Sequence, residues 1–129
     1  MESDILVVDD SAAIRKILQR VLRQTGMSIR TIHEAGDGQE ALEALKNNRI
    51  DLVLTDINMP KMDGLQFLAA MKSMAHCRNI PVVMITTEGG ETKVAEAVRL
   101  GASGYVRKPF TADQIKEKLA GFLEAALPI

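Results

Sequence analysis

The segment Ile5-Leu6-Val7-Val8-Asp9-Asp10 joins four consecutive apolar residues to two carboxylates. Four residues are too few for a helix, and the β-branched members favour an extended chain, so we predict a buried strand over 5–8. A strand that is apolar without alternation is typical of a parallel sheet covered on both faces. The segment therefore predicts a parallel sheet whose first strand carries acids at its carboxyl end.

Four further strands and five helices are predicted along the rest of the chain. The further strands are at 30–34, 51–55, 82–85 and 104–107. The predicted helices run from the cap Ser11 to Gly26, through 41–45, through 65–71, from 91 to 100, and from 112 almost to Ile129, the last with Ile115, Leu119, Phe122 and Ala126 on one face. Because parallel strands need crossover connections, this alternation predicts an α/β fold with a doubly wound, five-stranded parallel sheet.

Length and composition exclude several classes of protein. The 129 residues are 47% hydrophobic, which suits one core, so we expect a single domain over 1–129 with no output domain. The 16 basic and 17 acidic residues leave a net charge of −1, so we expect no charge-driven binding to nucleic acid or to an anionic membrane. A lone cysteine, no signal peptide and no membrane-length apolar run favour a cytoplasmic protein, which we expect to be a monomer.

Polar side chains follow four of the five predicted strands. They are Asp9 and Asp10 after the first, Asp56 after the third, Thr86 and Thr87 after the fourth, and Lys108 after the fifth. Because the carboxyl ends of parallel strands meet at one edge, where open α/β sheets bind ligands, we expect these side chains to converge. The acids assigned only to solvation and helix capping are Asp4, Asp51, Asp63 and Asp113.

The expected convergence predicts phosphoryl transfer to or through an aspartate. Carboxylates at about 5 Å repel one another by roughly 3 kcal/mol per pair, so a cation must accompany them. Oxygen ligands select Mg²⁺ or Mn²⁺ and leave coordination positions for phosphate oxygens. Lys108 and Thr86 would bind further phosphoryl oxygens. Taken singly, each residue has a plainer role: Asp9 or Asp10 as a helix cap, Lys108 as a solvated charge and Thr86 as a strand residue.

Five motifs together resemble the receiver domain of two-component response regulators. They are ILVVDDS, AGDGQEAL, DLVLTDINMPKMDG, PVVMITTEGG and GASGYVRKPF, and they cover essentially the whole chain. The resemblance implies a flavodoxin-like sheet with the strand order 2-1-3-4-5. The segment ITTEGGETKVAEA is similar to single-domain chemotaxis members of the family.

The resemblance also implies a chemical role for the acids at the predicted edge. Asp56 would accept the phosphoryl group from a sensor histidine kinase, so the chain would be a phosphoacceptor rather than an enzyme. Asp10, Asp56 and the main-chain carbonyl of Asn58 would bind Mg²⁺ directly, and Asp9 would help through a water.

Further residues would read the phosphoryl group, again by resemblance. Thr86 and Lys108 would bind it, and the Lys108-Pro109 bond resembles the family's cis peptide. Tyr105 occupies the position of the family's switch aromatic, which is buried in the active state and more exposed in the inactive one. The face formed by the fourth helix, the fifth strand and the fifth helix would then change its affinity for a partner.

Two features bear on how long the phosphoryl group would last. Thr87 stands where the family commonly has Ala or Gly, and its larger side chain is expected to alter access to the acyl phosphate. Asn58 and Glu88 match the polar pair of chemotaxis members with short-lived phosphorylation, which predicts a lifetime nearer seconds to minutes than hours.

The expected output partner is the flagellar motor switch or another chemotaxis protein, with a phosphatase as a further partner. A phosphorelay intermediate is the alternative within the family. A haloacid-dehalogenase-type phosphatase would need a second aspartate where the chain has Asn58. A flavodoxin-like flavin carrier would need a phosphate loop in place of Asp9-Asp10-Ser11, whose acids would repel the phosphate.

Overall fold

The fold is a five-stranded sheet that alternates with five helices. It is known from a computed structural model, which describes residues 2–87 and 91–122. The elements are β1 (Ser3–Val8), α1 (Ala12–Gln24), β2 (Ile29–Ala35), α2 (Gly38–Asn47), β3 (Leu52–Thr55), α3 (Gly64–Lys72), β4 (Val82–Thr86), α4 (Glu91–Arg99), β5 (Gly104–Arg107) and α5 (Ala112–Leu119). All paired strands are parallel, in the order β2-β1-β3-β4-β5, which confirms the predicted fold class and strand order.

The core has two layers, one on each face of the sheet. Successive side chains of β1 alternate between them: Leu6 and Val8 pack with Phe67 of α3, whereas Ile5 and Val7 pack with Leu22 of α1. All of these side chains are buried. Because β1, β3 and β4 are covered on both faces, each contains a continuous apolar run rather than an alternation of apolar and polar residues.

Two helix ends differ from the predicted ones. α4 ends at Arg99, one residue early, and α5 ends at Leu119. The prediction for Phe122 is wrong: it lies beyond α5 and is 36% exposed, because Gly121 disfavours a further helical turn. The rest of the predicted helix, from Ala126 towards Ile129, falls outside the described residues. Within 2–87 and 91–122, no helix combines the length and apolarity that a membrane span requires.

β1 and β2 are longer than predicted because backbone pairing continues past the apolar run. β1 begins at Ser3, whose N–H donates to the carbonyl of Ser28 at 3.0 Å. At the other end Val8 pairs with Ala35, the last residue of β2. Ladder hydrogen bonds do not depend on side-chain polarity, so the apolar residues alone underestimate the strand.

Asp4, assigned from sequence to solvation or capping, is instead buried at the amino end of β1. Its carboxylate accepts two hydrogen bonds from the guanidinium of Arg30 on β2, the one from Nε measuring 3.0 Å. The Arg30 hydrogen bonds hold the pKa of Asp4 below its ordinary value. The Asp51 carboxylate accepts from the backbone N–H of Asp4 at 2.8 Å, and Arg49 donates to Asp51 at 3.2 Å. The assignment of Asp4 to solvation or capping is therefore wrong, because a shift in the β1–β2 register between Ser3 and Asp4 leaves Arg30 beside the Asp4 carboxylate.

The predictions for two other acids are confirmed. The Asp63 carboxylate caps α3 by accepting from the backbone N–H of Gln66 at 2.8 Å. In turn, the backbone N–H of Asp63 donates to the side-chain oxygen of Gln66 at 3.0 Å. Asp113 is exposed in the first turn of α5, where a carboxylate interacts favourably with the helix dipole.

Candidate functional site

The carboxylates of Asp9, Asp10 and Asp56 lie together at the carboxyl edge of the sheet. One oxygen from each falls within 4.8 Å of the others. The adjacency of β1 and β3 produces this cluster, because Val8 pairs with Thr55 and each strand then leads directly into its acid. The sequence-based prediction that these three carboxylates converge is confirmed.

The three acids differ in their exposure to solvent. Asp9 is buried, the Asp56 side chain is 13% exposed, and Asp10 is exposed. The cluster is therefore closed towards the sheet and open towards the solvent beside Asp10. A small ligand can reach the acids from that side.

The Asp9 carboxylate bonds to Lys108 in the acidic cluster, and it is not the N-terminal cap of α1. Ser11 caps α1, with its Oγ accepting from the backbone N–H of Ile14 at 3.3 Å. One Asp9 oxygen accepts from the N–H of Ser11 at 2.9 Å, and the other accepts from Lys108 Nζ at 2.9 Å. The plainer alternative, in which Asp9 or Asp10 is the helix cap, is therefore wrong.

Lys108 brings a positive charge to the cluster from the end of β5. Its Nζ lies 2.9 Å from an Asp9 oxygen and 3.4 Å from an Asp56 oxygen, and its side chain is only 13% exposed. Its backbone N–H donates to the carbonyl of Thr86 at 2.8 Å, which ties it to the end of β4. The Lys108-Pro109 bond is cis, as the family resemblance implied. Lys108 is therefore not the freely solvated charge that its sequence position alone would allow.

The charges at the site change the proton affinities of two groups. Burial raises the pKa of Asp56, and the neighbouring Asp9 raises it further, while the Lys108 charge opposes both. Burial alone would lower the pKa of Lys108, but its hydrogen bond to Asp9 and the charge of Asp56 reverse that effect and raise it. Lys108 therefore remains protonated at neutral pH.

The segment after β3 returns tightly against Asp56. Asp56 accepts from the backbone N–H of Ile57 at 2.7 Å. The N–H of Gly64, at the start of α3, donates to the carbonyl of Ile57 at 2.7 Å, and a Cβ on Gly64 would lie 2.1 Å from the Asp56 carbonyl oxygen. Gly64 is the last residue of the motif DLVLTDINMPKMDG. A glycine eight residues after the candidate nucleophile is the signal that indicates such a close approach.

Sequence reasoning missed two basic residues beside the acids. Arg15 of α1 donates to the main-chain carbonyl of Asp9 at 2.5 Å and pairs with Glu34 of β2 at 2.9 Å. Lys93 of α4 donates to the side-chain oxygen of Asn58 at 3.0 Å. The two Arg15 contacts join residues 6 and 19 apart, and the Lys93 contact joins residues 35 apart. None of the three lies within one helix or strand, so no spacing rule for a single element predicts them.

Two further residues that the resemblance links to phosphorylation, Thr86 and Tyr105, lie on the neighbouring strands β4 and β5. Thr86 ends β4 and is buried, and Thr87 after it is exposed. Tyr105 of β5 is 42% exposed, with Lys118 Nζ 5.6 Å from its ring centre. Tyr105, Lys118 and Glu117 help to line a groove of about 650 Å³ between β5 and α5. Tyr105 is therefore at the surface in this structure, and its role as a switch stays a prediction.

The donor set fits a divalent cation that prefers oxygen ligands. Three carboxylates against one ammonium leave a formal charge of −3 + 1 = −2, which a divalent cation neutralises. Carboxylates with open positions for water are the usual Mg²⁺ environment in proteins. Asn58, the fourth predicted ligand, is exposed two residues after Asp56.

Comparisons with known proteins agree with this geometry. A family model described as the response regulator receiver domain matches residues 5–120. The chain is 41% identical to chemotaxis protein CheY-3 of Vibrio cholerae, over 93% of this chain and 91% of that protein. It is 39% identical to chemotaxis protein CheY of Pseudomonas aeruginosa, over 93% and 95% of the two chains.

Solved structures give the same result. Chemotaxis response regulator CheY4 of Vibrio cholerae superposes with a TM-score of 0.85 at 32% identity, over 95% of this chain and all of that one. CheY in the CheX-CheY-BeF3-Mg complex of Borrelia burgdorferi also gives 0.85, at 31% identity, over 95% of this chain and 90% of that one.

Proposed function

Because the chain belongs to the response regulator receiver domain family, we propose that it is a chemotaxis switch protein phosphorylated on Asp56 by a sensor histidine kinase. The observation that carries the proposal is the cluster of three carboxylates within 4.8 Å of one another, with Lys108 bonded to two of them. Such a cluster has more negative charge than a purely structural ion pair needs. It suits a site that binds a divalent cation and a phosphoryl group.

In the proposed reaction an Asp56 carboxylate oxygen attacks the phosphorus of a phosphohistidine. A phosphorus–oxygen bond forms, the phosphorus–nitrogen bond breaks, and the imidazole nitrogen takes the electron pair and a proton. Bound Mg²⁺ would neutralise charge on the transferring phosphoryl oxygens. Asp10, Asp56 and the Asn58 carbonyl would hold the ion directly and Asp9 through a water. Mn²⁺ would be accepted by the same oxygens.

Lys108 and Thr86 would convert phosphorylation into a change of shape. Lys108 already lies 3.4 Å from Asp56, so a small movement brings it to a phosphoryl oxygen, and the Thr86 hydroxyl would bind another. Two hydrogen bonds with a charged partner contribute about 3 to 6 kcal/mol. Changing a two-state equilibrium from 1:99 to 99:1 needs about 5.5 kcal/mol. The contribution of these two contacts is therefore comparable to the free energy that the switch requires.

The proposed output is a change in the affinity of a partner protein for the face formed by α4, β5 and α5. Movement of Thr86 would make room for Tyr105, which is 42% exposed before the switch. We expect the flagellar motor switch or another chemotaxis protein to bind the altered face, and a phosphatase to reset it. The CheX-CheY complex of Borrelia burgdorferi supports a protein as the partner.

A phosphoacceptor is favoured over a phosphatase because of the residue at position 58. A haloacid-dehalogenase-type enzyme would use an aspartate there as general acid, whereas Asn58 cannot donate a proton in that way. Its side chain instead accepts a hydrogen bond from Lys93.

The proposal is tested by phosphorylation with a small phosphodonor such as phosphoramidate in the presence of Mg²⁺. We expect the wild-type protein to acquire one acyl phosphate, Asp113→Asn to behave as wild type, and Asp56→Asn to remain unmodified, as measured by phosphate-affinity electrophoresis. A partner pulled down only in the presence of beryllofluoride and Mg²⁺ would identify the output. Equal labelling of Asp56→Asn and wild type would contradict the proposal.

A further inference from the structure

Lys93 connects the first turn of α4 to the segment that carries the candidate nucleophile. Its Nζ donates to Asn58 Oδ1 at 3.0 Å, although 35 residues separate the two in sequence. Asn58 follows Asp56 by two residues and is exposed, whereas the Asp56 side chain is 13% exposed, so the chain reaches the surface between these two residues. The Lys93–Asn58 bond thus joins a helix of the output face to the rim of the phosphorylation site.

Among the side chains described for the first turn of α4, Thr92 is exposed and Lys93 and Val94 are half-buried. Ala97 is the buried residue among the side chains described for this helix, and Val98 is 56% exposed. A helix anchored mainly near its carboxyl-terminal end is free to move at the other end unless a polar contact restrains it. The hydrogen bond from Lys93 supplies that restraint and fixes the Asn58 side chain at the same time.

The two lysines near the site have different partners. Lys108 is bonded to two carboxylates, whereas Lys93 is bonded to a neutral amide. In the proposed function Lys108, Thr86 and Mg²⁺ bind the phosphoryl oxygens, and the side-chain amide of Asn58 does not. The Asn58 side chain can therefore stay bound to Lys93 after Asp56 is phosphorylated. A side chain hydrogen-bonded to a fixed donor occupies space at the rim that water would otherwise fill.

We propose that Lys93 is a positioning residue which holds Asn58 at the rim of the site and so slows hydrolysis of the phosphoryl group on Asp56. This inference rests on the proposed function. In hydrolysis a water oxygen bonds to phosphorus, the bond between phosphorus and the Asp56 oxygen breaks, and the carboxylate leaves with the electron pair. The water's protons pass to phosphate and solvent. Asn58, when held by Lys93, restricts the approach of that water.

The test measures the decay of the acyl phosphate after the phosphodonor is removed. We expect Lys93→Ala to decay about three to ten times faster than wild type, which corresponds to about 0.6 to 1.4 kcal/mol, the net contribution of a typical hydrogen bond, because the Lys93–Asn58 bond is exposed to solvent. Lys93→Arg, which keeps a charged donor, should stay within about twofold of wild type. Lys46→Ala, which removes an exposed lysine from the last turn of α2, is the matched control and should not differ from wild type.

A double-mutant cycle separates positioning from a general charge effect. If Lys93 acts through Asn58, Lys93→Ala should not accelerate decay further in an Asn58→Ala background. The side-chain amide resonance of Asn58 should also shift in Lys93→Ala, while the affinity of the unmodified protein for Mg²⁺ changes by less than about twofold. A merely structural role would alter stability or Mg²⁺ affinity as well.

Two outcomes would overturn the inference. The first is a wild-type decay rate in Lys93→Ala, and the second is an equal acceleration by Lys93→Ala with and without Asn58. Both are distinct from failure of the proposed function, in which wild-type protein would take up no phosphoryl group on Asp56 and the inference would fall with it.

Discussion

The two ends of β1 each bury an aspartate, but the two ends have opposite charge balances. Asp4, at the amino end, is 3% exposed, and Asp9, at the carboxyl end, is 1% exposed. The amino end pairs Asp4 and Asp51 with two arginines, so its charges cancel. The carboxyl end sets three carboxylates against Lys108. Burial of an acid therefore does not by itself mark a functional site, and the two ends of β1 differ instead in their balance of carboxylates and cations.

The largest expected effect is on the free energy of unfolding, and it concerns the close packing of Gly64 against the main chain of Asp56 at the carboxyl end. Gly64→Ala would place a Cβ 2.1 Å from the Asp56 carbonyl oxygen. We expect a loss of about 3 kcal/mol or more in the free energy of unfolding, because main chain rather than a flexible side chain must move. Urea denaturation measures it. Gly121→Ala, where no atom lies within 4 Å of the added Cβ, is the control, and equal effects of the two would contradict the packing.

The convergence of the acids could be predicted from sequence because it depends only on strand order and on which residue follows each strand. The prediction that Asp9, Asp56 and Lys108 converge required no knowledge of side-chain conformation. The Asp4–Arg30 pair depends on the register of β1 against β2, which an apolar run does not specify. The contacts of Arg15 and Lys93 depend on the conformations of long side chains packed against other elements. These contacts are determined by the tertiary structure, so they could not be predicted from sequence spacing.

Asp4→Asn tests whether the amino end is structural. We expect the free energy of unfolding to fall by about 1 to 2 kcal/mol, since a charged hydrogen-bonded pair is lost but Arg30 is half exposed and screened by water. The affinity for Mg²⁺, measured by isothermal titration calorimetry, should be unchanged. A weakened Mg²⁺ affinity in Asp4→Asn would break the distinction between the two ends.

Asp10→Asn should have the opposite effect on stability. Removing one of three crowded carboxylates relieves repulsion, so in Mg²⁺-free buffer the free energy of unfolding should rise by up to about 1 kcal/mol. The same change should weaken Mg²⁺ binding at least about tenfold. If Asp10→Asn destabilised the Mg²⁺-free protein, the carboxyl end would not carry the excess charge described above.

The smallest effect is a difference in pH dependence between the ends. Arg30 lowers the pKa of Asp4 below 3.8, so its stabilising contribution is present above that pH and is lost as the pH falls through the folded-state pKa. Burial raises the pKa of Asp56 above 3.8, so ionised Asp56 costs stability at neutral pH, and this cost disappears as the pH falls through the raised pKa.

Urea denaturation between neutral and acidic pH would measure both differences from wild type. At neutral pH we expect Asp56→Asn to be more stable than wild type and Asp4→Asn to be less stable. As the pH falls, the difference in free energy of unfolding between Asp56→Asn and wild type should shrink first, and the difference between Asp4→Asn and wild type should shrink only below 3.8. If both differences shrank over the same pH range, the opposite pKa shifts of Asp4 and Asp56 would be refuted.

The strand order has a further consequence for self-association. β2 and β5 are the edges of the sheet, and unpaired edges can recruit a second sheet and cause aggregation. β5 has only four residues and presents Arg107 outwards, and β2 exposes Arg30 and Glu34. The shortness of β5 and the exposed charges on both edges discourage sheet-to-sheet growth. The chain can therefore keep β5 accessible to a partner protein without that strand becoming a template for aggregates of its own copies.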